Sequence, residues 1–100
     1  MLGILDDKDV EKMVPAVAPL AHRVWYSSPA YGRAAPAARL AAAGRSVGKP
    51  GIVEPELKRA LDAAMAAAGP EDAVLVCGSL YTVGEALSHL DPERWPPENL

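Results

Sequence analysis

The chain has 100 residues, enough for one small domain, and half of them are hydrophobic, so a core can be built. A net charge of −3, with basic residues scattered and no basic stripe, excludes a nucleic-acid footprint. A single cysteine and two isolated histidines exclude an internal disulfide and a metal site of several thiolates, and no apolar run approaches the length of a membrane span.

The chain opens on a strand-like apolar run at 1–5, followed by an acidic turn, Asp6-Asp7-Lys8-Asp9. Val10, Met13, Val14, Val17 and Leu20 then recur at helical spacing, with acidic residues before them to cap the helix. Pro15 falls inside this pattern and predicts a kink, and Pro19 predicts its end. Residues 23–27 read as a second strand, and 28–34, with Pro29, Gly32 and Arg33, as a loop. Pro36 suits the first turn of a helix over 35–43, closed by Gly44.

Residues 47–53 read as a loop or a short strand. Pro55 opens the next helix, with Leu57, Leu61, Ala64, Met65 and Ala68 on one face and Gly69-Pro70 at its end. Residues 73–77 are apolar at every position, which predicts a central parallel strand covered on both faces. A short helix over 81–87 follows, and the proline-rich tail from Ser88 reads as irregular. Domain organisation is therefore one α/β unit over 1–90 and a tail over 91–100. The expected fold class is α/β, a small open, mostly parallel sheet flanked by helices.

Ligands of such sheets collect at the carboxyl ends of the strands. Two polar clusters fall there: Asp7, Lys8 and Asp9 after the first strand, and Gly78, Ser79 and Tyr81 after the last. A strand that breaks at Gly-Ser and turns into a helix aims backbone N–H groups and a hydroxyl at one spot, which suits an anion. The same residues have structural readings. Ser79 can cap the last helix, Gly78 can permit a tight turn, Tyr81 can pack, and the acidic cluster can be solvated charge at a helix start. Cys77, ending an apolar run, reads as a small buried hydrophobe rather than a reactive thiol. Glu85 and His89, at i,i+4 spacing, read as a surface pair.

Four motifs in order carry a family resemblance. Residues 3–9, GILDDKD, resemble a G-[IVL]-[LM]-x-D-K-D turn. Met13 and the stretch Ala18-Pro19-Leu20-Ala21 match the helix that follows it. Arg33-Ala34, Pro36-Ala37 and Leu40-Ala41 match R-A-x-P-A-x-x-L-A, and residues 76–85 match V-x-G-S-L-Y-x-V-G-E. Together these resemble the C-terminal domain of folylpolyglutamate synthase/dihydrofolate synthase, in the Mur ligase superfamily.

The resemblance implies a Rossmann-like domain of an ATP-dependent amide ligase. Such enzymes activate a folate or dihydropteroate carboxylate as an acyl phosphate, which the amine of glutamate then attacks. It implies ATP and Mg²⁺ as cofactors, a cytoplasmic setting, and an N-terminal ATPase domain as the partner that this domain closes over. Ser79, Gly78 and Tyr81 become candidates for glutamate or folate binding. Asp7, Lys8, Asp9 and Arg33 become candidates for the nucleotide or interdomain cleft, with a surface role as the alternative for Arg33. The sequence lacks the family's Gly-rich phosphate loop and its Asp-x-Ala-His-Asn-Pro turn. The expectation is a domain without its first strand and helix, inactive alone and inclined to self-associate through an uncovered sheet edge. Two rival readings stand beside it: a non-catalytic α/β binding or assembly module, and a receiver-like signalling domain. The receiver would need a later strand-end Asp and a Lys after the last strand, and Tyr26-Ser27-Ser28 and Cys77-Gly78-Ser79 supply neither.

Overall fold

A computed structural model describes residues 1–97; residues 98–100 of the predicted tail lie outside the described residues. The elements are α1 (Val10–Val17), β1 (Trp25–Ser28), α2 (Ala37–Arg45), β2 (Ile52–Glu56), α3 (Leu57–Ala67) and α4 (Leu80–Leu90), with a 3-10 turn, Ala18–Leu20, after α1. The class is α/β, with a parallel open sheet and four helices, as expected.

β1 and β2 form the regular sheet, with Trp25 opposite Ile52 and Tyr26 opposite Val53. Single bridges extend this layer: Leu2 pairs in parallel with both Tyr26 and Cys77. Backbone bonds lace the segments, Leu2 N–H to Trp25 O at 2.9 Å and Gly3 N–H to Cys77 O at 3.2 Å. The lateral order is therefore Cys77, Leu2, β1, β2.

Two apolar clusters sandwich the layer because successive residues of an extended segment face opposite sides. Leu2, Ile4, Val24 and Tyr26 point to one face and pack with Val10, Val14, Leu40 and Ala41 of α1 and α2. Met1 and Trp25 point to the other and pack with Leu57, Ala60, Leu61 and Ala64 of α3 and Ala86 of α4. Helices on both faces of a parallel layer follow directly.

Several local expectations are corrected. Residues 73–77 are not a central strand: only Cys77 makes a bridge, and Leu75 is 70% exposed. An apolar run records the absence of charge, not how many neighbours the run will have. The inner position went to residues 1–4, bonded on both sides. Pro55 does not open a helix but sits in β2, on an edge where a missing N–H is tolerated. Gly44 does not close α2 but lies inside it, where a Cβ would overlap the Tyr26 hydroxyl. Leu20 and Met65, expected on buried stripes, are exposed. α4 begins at Leu80 and continues past residue 87 to Leu90, so residues 88–90, read as irregular, are helical.

Candidate functional site

The carboxyl ends of the parallel segments meet at one rim. The turn at 5–9, the loop at 29–34 and the start of α4 lie there, and short bonds tie them together. Asp6 N–H donates to Arg33 O at 2.8 Å, and Ala35 N–H to Ile4 O at 2.8 Å. Gly78 lies at φ +121°, where L side chains are strained, and a Cβ there would overlap the Gly3 carbonyl. The glycine lets the last segment cross directly over the first and deliver Ser79 to the rim.

Ser79 is the N-cap of α4. Its hydroxyl accepts from Thr82 N–H at 3.1 Å and contacts Thr82 Oγ1 at 2.9 Å. Thr82, fully buried, donates its own hydroxyl to Gly3 O at 2.8 Å. A hydroxyl has one proton, so Thr82 has none left for Ser79, and Ser79 is the donor between the two. The proton chain runs Ser79 to Thr82 to Gly3. What Ser79 retains for a ligand is acceptor capacity.

Beside this cap, Tyr81 stacks on Tyr31, with ring centroids 3.9 Å apart and planes 9° from parallel. Arg33 donates from Nη2 to the Tyr31 hydroxyl at 3.2 Å and lies over its ring, 5.7 Å from the centroid. Bonding to Tyr81, and then to Arg33, lowers the Tyr31 pKa. The Tyr31 bond in turn raises that of Arg33, with a smaller contribution from the Asp7 charge. The loop is also pinned to α4 where Ala30 N–H donates to Glu85 Oε1 at 2.6 Å.

The rim thus gathers Gly78, Ser79, Tyr81 and Arg33, with Asp7 close enough to act on Arg33 electrostatically. Lys8 and Asp9 are not drawn in. Lys8 pairs loosely with Asp7 at 3.9 Å, and Asp9 with Lys12 at 3.8 Å, all exposed. Asp9 occupies the N-cap position of α1 but makes no side-chain cap bond. Glu85 and His89 are not a pair: Glu85 holds Ala30, and His89 meets Asp62 at 2.8 Å.

Sequence reasoning missed Tyr31 and Thr82, and gave Glu85 the wrong partner. Thr82 stands three residues after Ser79, the spacing of a reciprocal cap, and could have been read. Nothing local marks Tyr31, whose partner is distant in the chain.

Neither a curated protein nor a solved structure matches the chain. Residues 1–80 do match the family model for the Mur ligase glutamate ligase domain. That span takes in both glycines of the crossing and the Ser79 cap, and the chain belongs to the Mur ligase family through its glutamate ligase domain.

Proposed function

We propose that the chain is the substrate-binding lid of an ATP-dependent folate–glutamate ligase, closing over an ATPase domain and presenting its rim to glutamate and to folate or dihydropteroate. The family membership supports an ATP-dependent ligase domain. The order of the GILDDKD and GSLYTVGE motifs supports the folate branch.

The observation that carries the reading is the convergence of Ser79, Tyr81 and Arg33 at one rim, beside the N-terminal turn of α4. Arg33 is a cation suited to a substrate carboxylate. The start of α4 favours negative charge in the same place. Ser79, its proton committed to Thr82, suits the ammonium or amine of an incoming amino acid.

In this reading ATP and Mg²⁺ supply the activated acyl phosphate. Among the described residues no three His, Cys, Asp or Glu side chains converge to hold a cation. The sequence carries no phosphate loop. As the resemblance implies, nucleotide and metal are held mainly by the ATPase domain, with Asp7, Lys8, Asp9 and Arg33 at the interdomain cleft. The lid's own work is to orient glutamate and to exclude water from the acyl phosphate.

An amide ¹⁵N–¹H spectrum of the chain titrated with glutamate tests the site. Shifts centred on Arg33, Gly78, Ser79 and Tyr81 are expected, and they should fade in Arg33→Gln. Shifts elsewhere, or none, reject a glutamate role for this rim.

A further inference from the structure

The chain has three tyrosines, and the fold treats them differently. Tyr26 is fully buried, its hydroxyl bonded to Lys49 O. Tyr31 is half-buried and Tyr81 is 36% exposed, and these two stand together at the rim, where a solute can reach them.

Their ring centroids lie 3.9 Å apart, with planes 9° from parallel. Carbon atoms in contact stand about 3.5–4.0 Å apart, so this separation leaves little sideways slide and the rings overlap face to face. Aromatic pairs left to themselves prefer an offset or an edge-to-face arrangement. Here the backbone enforces the overlap. Glu85 Oε1 accepts from Ala30 N–H at 2.6 Å on one side, and Ser79 caps α4 just before Tyr81 on the other. The bond between the two phenols, which lowers the Tyr31 pKa, puts both hydroxyls at the same end of the stack. The carbons ortho to each hydroxyl therefore face one another. In a phenoxyl radical those carbons carry unpaired spin, and there two such radicals couple.

We propose that Tyr31 and Tyr81 are a site of oxidative cross-linking, joined as a dityrosine by a one-electron oxidant. Two equivalents of oxidant are consumed. Each ring gives up one electron to the oxidant and its phenolic proton to water. The two phenoxyl radicals then form one C–C bond between facing ortho carbons. The hydrogen on each of those carbons leaves as a proton while the ring recovers aromaticity, and each phenolic oxygen regains one. The pair loses two hydrogen atoms in all and keeps both hydroxyls.

Arg33 assists the first step. Its Nη2 donates to the Tyr31 hydroxyl at 3.2 Å, and a cation beside a phenol favours loss of the phenolic proton. Proximity supplies the rest, since well-oriented groups react as though present at about 10⁵ M or more. Exposed tyrosines of separate chains meet only by diffusion. The product bridges the loop after β1 to the first turn of α4, so oxidation fixes in place the two segments that carry Arg33 and Ser79. This chemistry needs no glutamate and stands apart from the ligase reading.

The test uses the whole chain, oxidised by a photogenerated ruthenium(III) complex with persulfate as the final electron acceptor. Dityrosine fluorescence should appear in a product of single-chain mass less two hydrogens, and peptide mapping should find Tyr31 joined to Tyr81. Tyr31→Phe and Tyr81→Phe keep the ring without the hydroxyl, and each should lower the yield of this product about tenfold or more. Oxidation of wild type in unfolding urea should lower it by about as much, a comparison that requires no variant. Absence of the single-chain product, a link through Tyr26, an unchanged yield in either variant, or an equal yield from folded and unfolded chain each overturns the proposal.

Discussion

Tyr31 and Tyr81 lie ring on ring, with centroids 3.9 Å apart, and this contact clamps the loop after β1 to the first turn of α4. The clamp joins the two segments whose polar residues make the candidate site, so the rim is one unit and not two neighbouring loops. The Glu85 bond to Ala30 N–H reinforces it from one turn further along α4.

The clamp should be visible in tyrosine titration. Bonding to Tyr81 and Arg33 lowers the Tyr31 pKa, whereas burial raises that of Tyr26, whose hydroxyl donates to Lys49 O at 2.6 Å. In a ¹³C-tyrosine spectrum Tyr31 should ionise before Tyr26, and Tyr81→Phe should move Tyr31 upward. A phenol held low in the fold adds stability that is complete above its unfolded pKa and lost as pH falls through the folded value. The clamp should therefore tighten in alkali. An unmoved Tyr31 in Tyr81→Phe would contradict the contact.

The two glycines that bracket the start of α4 should respond with opposite signs. Gly78→Ala forces a side chain into φ +121° and against Gly3. It should cost about 2–4 kcal/mol in urea unfolding. Gly84, within α4, has open space where a Cβ would go. Gly84→Ala should stabilise by about 0.5–1 kcal/mol. Equal effects would mean that the crossing of residues 3 and 78 is not close.

The hydroxyl chain from Ser79 through Thr82 to Gly3 should behave as one unit. Ser79→Ala removes the cap of α4 and should cost about 1 kcal/mol. Thr82→Val leaves the Gly3 carbonyl without its donor and should cost about 1–3 kcal/mol. The double variant should lose less than the sum, since the two hydroxyls share a bond. Strict additivity in denaturant unfolding would separate them.

Glu11 and Arg39 link α1 to α2 through two bonds of 2.8 and 3.0 Å. Arg39 holds the Glu11 carboxyl below its ordinary value. Because the folded chain takes up this proton later than the unfolded chain, the pair's contribution is complete only above the unfolded carboxyl's ordinary value of about 4.5. It disappears as pH falls through the lowered folded value. The Arg39 and Glu11 side chains are 36% and 61% exposed, so the effect is small. Wild type should exceed Glu11→Gln in urea midpoint near neutrality and converge with it in acid. A gap that stays constant with pH would assign the loss to packing.

The sequence by itself determined the features that depend on neighbours in the chain. Alternation between apolar runs and helical periodicity declared an α/β domain, because side-chain period is a local property. The Gly78-Ser79 break announced a tight turn and a helix cap, and both stand where they were read. Tertiary structure alone decided which segments lie side by side. Residues 73–77 look like the most deeply buried strand, yet they form an edge, because residues 1–4 are bonded between them and β1. The same holds for Tyr31 and Tyr81, and for the separate partners that Glu85 and His89 find, since pairing between distant segments depends on how whole faces dock. Even the direction of the Ser79 proton was decided this way. It follows from a carbonyl at Gly3, which only the folded chain brings to Thr82.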